Sequence, residues 1–425
     1  MNTRLCKVEC RISRNRRLSI VTVVAMVYMA FPGAFQGHSS EPNAADAATT
    51  ALQTKLMSAK ERGTRIELAS GDIAIDAEVK IGNVSGGVIE GKGASELLDY
   101  QHPLSAASTR LIASGKDRVD MTLLTADGAE TVIRDLSLYG YTRNEHNSGA
   151  ERAKCGLLIT KTAEGLGTGG LTLDNVFVVG FKTGIQAAVG VIENNCERSS
   201  FRRVRFHNND AGFVVKSQQS MGFGVTDCEW WNNLDCIRVE GGGKIVVSNA
   251  FVSHPMDAKE QRAFLRIAPR DQELSIGPNN GFYHVTGLYA DQAAPNLRLV
   301  AMRPVDDKGI RTPFYCSTTF EGFHISNETY TEPAIEVAGI SSTTLRDGYG
   351  VQKKWVTWDN DPDGPFKWTS RVLIENCQVF DCEDGREVLD LASARGWCRV
   401  IVKDCYDQFN EPIKDFEGLV LGKRK

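Results

Sequence analysis

The chain has 425 residues, 42% of them apolar, which is enough for a large core, and a formal net charge of −4. That balance gives no general attraction to nucleic acid, and no nucleic-acid partner is expected. Its eleven cysteines form no CxxC and no His/Cys cluster at zinc spacing, which excludes a structural zinc module.

The chain opens with Arg4, Lys7, Arg11, Arg14, Arg16 and Arg17 ahead of an apolar run from Leu18 to Phe31. Basic residues before a run too short to span a bilayer comfortably read as an export signal. Ala45-Asp46-Ala47 offers a small-x-small cleavage site. Residues 1–47 are therefore assigned to a signal peptide and leader, residues 48–425 to one domain, and the location is expected to be secreted or periplasmic. An uncleaved signal anchor is the alternative, and the only membrane association expected. Export permits disulfides, and Cys382 with Cys398 is the pair to test first. Cys228, Cys377 and Cys405 each follow a turn residue and read as small buried groups.

Residues 48–63 read as a short capping helix. Thr49 or Thr50 caps its start, Leu52, Leu56 and Ala59 share a face, and Gly63 ends it. The segments TRIELASGDIAI, VSGGVIEGKGAS, STRLIASG and MTLLTADG read as the first coils of a repeat. From there one phrase recurs nine times, an apolar alternation broken by a turn residue: Asp135, Asn175, Arg203, Asp227, Asn249, Gly287, Gly322, Asn376 and Asp404. A second strand follows, as in GLLIT from Gly156, GIQAA from Gly184, GFVVK from Gly212, CIRVE from Cys236, FLRIA from Phe264, LRLVA from Leu297, AIEVA from Ala334, VLDLA from Val388 and GLVLG from Gly418. Spacings of 28, 24 and 22 residues from Asn175 to Asn249 leave room for three short strands per coil and none for a long helix. The expectation is an all-β chain, a single-stranded right-handed parallel β-helix (solenoid) with an N-terminal capping helix.

The stretch ALQTKLMSAKERGTRIELASGDIAI followed by GGVIEGKGAS resembles the opening of the pectate-lyase-like β-helix superfamily. The resemblance implies that architecture from about residue 48 to 420. The superfamily includes polysaccharide lyases, polygalacturonase-like hydrolases, epimerases, phage tailspikes and proteins without known activity, among which fold alone does not choose.

Intervals of 38, 35 and 54 residues before Gly287, Gly322 and Asn376 mark projecting loops. The longest, about 341–370, holds Trp355, Trp358 and Trp368 among Asp359, Asp361 and Asp363. Aromatic rings in a polar loop suit sugar stacking, or else anchor the loop to the wall.

Aligning the second strands puts Gln186, Val214, Arg238, Arg266, Arg298, Glu336 and Asp390 in one outward file. Stacked guanidinium groups repel unless anions lie between them. An acidic polysaccharide supplies such anions; Glu240, Asp271 and Glu273 as ordinary ion-pair partners supply them equally. What the superfamily resemblance implies for the first case is a polysaccharide lyase working by β-elimination. Arg238 or Arg266 is then the base, Lys216 and Arg298 bind neighbouring acid groups, and Asp210, Asp235 and Glu240 are the candidate Ca²⁺ ligands. The vWiDH and RxPxxR signatures of the best-known pectate lyases are absent. A second reading is a glycoside hydrolase with Asp210 and Asp235 as paired carboxylates, because HNNDAGFVVKS resembles the polygalacturonase-like GDDGIAIKS. Ala211 stands where that segment has its second Asp, and the GHG and RIK motifs are missing. A third is a carbohydrate-binding protein without turnover, using the same arginines and tryptophans.

Overall fold

The structure is a computed structural model. It describes residues 44–58, 63–81, 86–95, 107–115, 117–126, 130–141, 151–160, 168–189, 196–217, 220–254, 260–268, 281–291, 296–303, 315–326, 332–351, 354–360 and 369–423. Among these no helix is long and apolar enough to cross a membrane.

Nearly every strand pairs in parallel with its counterpart one coil away, giving a long sheet of nineteen strands and a short sheet of ten. Parallel crossovers are right-handed almost without exception, and the chain is a right-handed parallel β-helix. The long sheet is folded lengthwise by a bend within each coil. At that bend Asp135, Asn175, Arg203, Asp227, Asn249, Asn376 and Asp404 have φ between +51° and +56°, and Gly287 and Gly322 have +66° and +63°. Asn and Asp tolerate this left-handed conformation because their short polar side chains bond locally. Here they also bond between coils: Asn175 Nδ2 donates to Asp135 Oδ1 at 2.7 Å, and Asn249 and Asn376 donate to Asp227 and Asp347.

Asp347 is a tenth bend, with φ +53°, that the sequence reading missed. It divides the 54-residue interval, so residues 341–370 are not one projecting loop. The strand Ile340–Arg346 enters this bend, and Val356–Trp358 is the short-sheet strand of the same coil. Two later segments also differ from expectation. VLDLA continues the short sheet only through a single bridge between Val356 and Leu389. GLVLG lies in the strand Phe416–Leu421, which runs antiparallel to Trp397–Lys403 and closes the end of the long sheet.

The capping helix, α1, spans Ala44–Ser58, so the expected cleavage site lies inside its first turns. Thr49 is not its cap but a buried residue whose hydroxyl donates to Asp76 Oδ1 at 2.5 Å. Leu52 and Leu56 enter the core as expected. Gln53 donates to Lys80 O at 2.9 Å and accepts from Lys80 N–H at 2.7 Å, which covers the edge strand Val79–Ile81. An uncovered edge is a template for aggregation.

Inside the coils, side chains stack from one level to the next. Phe206 lies parallel to Trp230 at 5.4 Å, and Trp230 meets Phe264 edge-on at 5.5 Å. Such pairs contribute about 0.5–1.5 kcal/mol each beyond their burial. Gly212 makes the close approach possible, since a Cβ there would lie 2.9 Å from the Trp230 ring. At the corner before the short sheet, buried Asn209 and Asn233 form a ladder. Asn209 Nδ2 donates to Val178 O at 3.0 Å and Asn233 Nδ2 to Phe206 O at 2.7 Å.

Candidate functional site

The outer face of the short sheet is set by its register. Gln186, Val214, Arg238 and Arg266 are successive Cα partners, followed by Ala301, Glu336 and Thr357. The expected file is therefore present through Arg266 and again at Glu336. Arg298 does not belong to it: it pairs with Ala263, level with Asp235, and Ala301 takes the place it was given. The reason is local. Every residue of Arg262–Ile267 and Leu297–Met302 is buried, so no exposure alternation marks the outward position, and a covered alanine reads as core. Asp390 lies beyond Thr357, beside a separate open cleft of about 520 Å³ lined also by Lys354, Asp384, Arg386 and Glu387.

The arginines nevertheless converge. Asp235, 1% exposed at its side chain, accepts Arg238 Nε at 2.7 Å on one carboxylate oxygen and Arg266 Nε at 2.5 Å on the other. Arg298, 8% exposed, bonds Glu336 and, at 2.6 Å, Glu332. Among the described residues, Asp235, Glu332 and Glu336 are thus carboxylates that separate these cations. Arg303, which the sequence reading passed over, is exposed and donates to Gln261 Oε1 at 2.5 Å. Counting by twos from Ala301 reaches it.

Burial and the nearby Arg266 lower the Arg303 pKa from its ordinary value, with Glu336 and Asp235 opposing. Burial raises the Glu336 carboxyl above the ordinary glutamate value despite Arg298 and Arg303. Arg266 Nη1 and Arg298 Nε are buried and have no hydrogen-bond partner among the described residues. Buried guanidinium N–H groups without acceptors are costly, and an anion satisfies them.

Other expected site residues lie apart. Asp210, at the entry corner, is held by Arg152 Nη1 at 2.8 Å. Lys216 and Glu240 stand past the exit end of their strands. The strand Asp235–Val239 separates Asp235 from Glu240 by roughly 16 Å at about 3.3 Å per residue. With that separation, and with both Asp235 oxygens committed to guanidinium groups, Asp210, Asp235 and Glu240 do not fit a Ca²⁺ site. Among the described residues no group of three His, Cys, Asp or Glu side chains is gathered for a metal.

Trp355 and Trp358 are corrections as well. Both are completely buried; Trp358 Nε1 donates to Gly396 O at 2.9 Å, and Trp355 packs against Phe323. Core rings of this kind cannot stack on a sugar. Trp368, Asp271 and Glu273 lie outside the described residues.

No protein-family profile and no curated protein sequence matches the chain. Solved structures do. The catalytic domain of a GH87 α-1,3-glucanase in complex with nigerose aligns with 93% of this chain and 70% of its own length, at 13% identity and a TM-score of 0.49. Against another such glucanase domain the chain spans 66% of that domain's length. The A-module of a mannuronan C-5 epimerase from Azotobacter vinelandii aligns over 85% and 94%, at 12% identity and a TM-score of 0.48. An endo-xylogalacturonan hydrolase from Aspergillus tubingensis aligns over 89% and 93%, at 11% identity and a TM-score of 0.46. All are right-handed parallel β-helix proteins. Their names speak of carbohydrate chemistry in those proteins.

Proposed function

We propose that the outer face of the short sheet binds an acidic polysaccharide and cleaves it by β-elimination. The observation that carries this reading is the convergence of Arg238, Arg266, Arg298 and Arg303 around three carboxylates, with buried donors on Arg266 and Arg298 left for a further anion. A uronate carboxylate held by those donors has its charge neutralised, and the proton on its C5 becomes removable. Arg303, only partly covered, with its pKa lowered by that partial burial and by Arg266, is the base. The C5–H electrons form the C4=C5 bond as the C4–O bond breaks. Glu336, whose carboxyl holds its proton to higher pH, supplies a proton to the departing oxygen.

The hydrolase reading loses support, because both Asp210 and Asp235 are engaged by arginines and neither is placed to donate a proton. The test is incubation of the purified protein with polygalacturonate and alginate, followed by near-ultraviolet absorbance of the unsaturated product. Activity lost in Arg303→Gln with binding retained supports the mechanism. Binding without product favours a non-catalytic module, and new reducing ends without absorbance favour hydrolysis.

A further inference from the structure

We propose that the long sheet carries a second polysaccharide-binding surface: a strip of aromatic side chains that stacks on the rings of a neutral sugar chain running along the solenoid axis. It is independent of the arginine face, which belongs to the other sheet. The strip lies on the half of each coil that follows the left-handed bend. Arg205, Glu229, Phe251, Tyr289, His324 and Tyr349 are successive Cα partners there. Their neighbours Trp230, Val252, Ala290 and Ile325 are core residues, so period two turns this file outward.

The rings touch from coil to coil. Phe251 and Tyr289 lie 5.9 Å apart and 9° from parallel; Tyr289 meets His324 at 4.9 Å, and His324 meets Tyr349 at 4.8 Å. Phe251 is 37% exposed and Tyr289 41%. In the half of the same sheet before the bend, the outward file beside the bend is settled with ion pairs, as in Arg134 with Glu90 and Arg346 with Glu375. A file of half-exposed rings departs from that solution and offers one apolar contact per coil, about 4.8 Å apart. That rise is close to the length of a pyranose ring, whose C–H faces stack on aromatic rings while its hydroxyls bond the polar edges alongside. Those edges are the Tyr289 and Tyr349 hydroxyls and, in the adjacent file, Ser253 and Asp291, which follow Trp231 in register.

Charge selects a neutral chain. Hydrogen bonding to His207 holds the Glu229 carboxyl below the ordinary glutamate value, Asp291 adds a second carboxylate, and Arg205, 3.5 Å from Glu229, is the one cation of the file. A polyuronate would meet repulsion at both carboxylates. A second copy of the chain is a poor occupant on area. Aromatic side chains span about 150–250 Å² each, so four partly covered rings present a few hundred Å² against the roughly 800 Å² per partner of a stable protein interface.

The experiment compares the full chain with Phe251→Ala/Tyr289→Ala, with Ser253→Glu, which removes no ring but places a bulky charge beside the strip, and with Arg266→Gln. Each is sedimented with insoluble cellulose and with insoluble α-1,3-glucan, and run in gels containing polygalacturonate, with far-ultraviolet circular dichroism as the check on folding. The expected result is retention of the unaltered chain on a neutral glucan, reduced at least tenfold in both strip variants and unchanged in Arg266→Gln. Four outcomes overturn the proposal: no retention on either neutral glucan, equal retention by folded strip variants, loss of neutral-glucan binding in Arg266→Gln, or a halved molar mass by light scattering in the strip variants. Polygalacturonate binding that survives in the strip variants leaves the arginine-face reading standing whichever way this test falls.

Discussion

Arg238 and Arg266 stand directly opposite each other on adjacent strands and share one buried carboxylate, that of Asp235. Neighbouring strands lie about 4.8 Å apart, so without that anion two cations would face each other at the floor of the sheet. Asp235→Ala is expected to cost about 3–5 kcal/mol, the range for removing one partner of a buried ion pair. Asp210→Ala, which breaks a half-exposed pair with Arg152, is expected to cost no more than about 1 kcal/mol. Urea unfolding of the two variants checks the difference. Equal small losses would mean that Asp235 does not hold the arginines together.

Trp358 tests where the aromatic residues of 341–370 belong. Its ring is wholly buried and its Nε1 donates to Gly396 O. Trp358→Ala is expected to destabilise the chain by about 3–5 kcal/mol through the cavity it leaves. A variant with unchanged stability and weakened sugar binding, measured by thermal unfolding and affinity gels, would restore the loop reading.

The bends were legible because Asn, Asp and Gly are the residues that take a left-handed conformation cheaply, and eight of them, with Arg203 in the same place of the repeat, stood out against apolar flanks. Asp347 did not, because the inward wall of its coil is polar: Ser341 and Thr343 are buried beside Leu345, and Thr318 Oγ1 donates to Thr343 Oγ1 at 2.8 Å. A pattern built on hydroxyls looks like a surface. The arginine face was legible as a file but not in its partners. Period two names the side of a sheet on which a residue stands; which carboxylate it meets depends on register, and register failed at Ala301 for want of an exposed neighbour. The aromatic strip was visible as single residues, Phe251, Tyr289 and Tyr349, but only the Cα pairing shows that they form one line.

The thiols give a third prediction. Cys382 and Cys398 form no disulfide, and all nine cysteines from Cys155 to Cys405 are buried thiols. Burial pushes the pKa of Cys155, Cys228, Cys316 and Cys377 up to about 12, and that of Cys405 to about 11. The thiolate is the reactive form, so these nine are expected to resist Ellman's reagent until the chain is unfolded. Dithiothreitol is expected to leave the thermal midpoint unchanged. Fewer than nine thiols released from this region on denaturation, or a midpoint lowered by reductant, would reveal a disulfide.

The pH dependence of stability is expected to carry two opposed contributions. His254 is buried beside Arg262, and burial first, then the guanidinium, lowers its pKa from 6.5 to about 3. Between those values the unfolded chain binds the proton and the folded chain does not, so the contribution of His254 is complete above pH 6.5 and is lost as pH falls toward 3. Glu336 has the reverse sign. Its folded pKa is raised above 4.5 by burial, against the pull of Arg298, Arg303 and Arg266 and with Asp359 adding to the rise. The folded chain holds that proton longer than the unfolded one, and stability falls as pH rises from 4.5 through the folded pKa. His254→Phe is expected to flatten the loss of stability on the acid side of neutrality, and Glu336→Gln to steepen it just above pH 4.5 by removing the term that opposes it. Denaturant midpoints of the two variants from pH 4 to 8, each referred to the unaltered chain at the same pH, measure both slopes. If His254→Phe leaves the acid limb unchanged, His254 is protonated in the folded chain and its corner is open to water; if Glu336→Gln flattens the limb instead, Arg298 and Arg303 outweigh burial and Glu336 is an ionised partner, not a reserve proton.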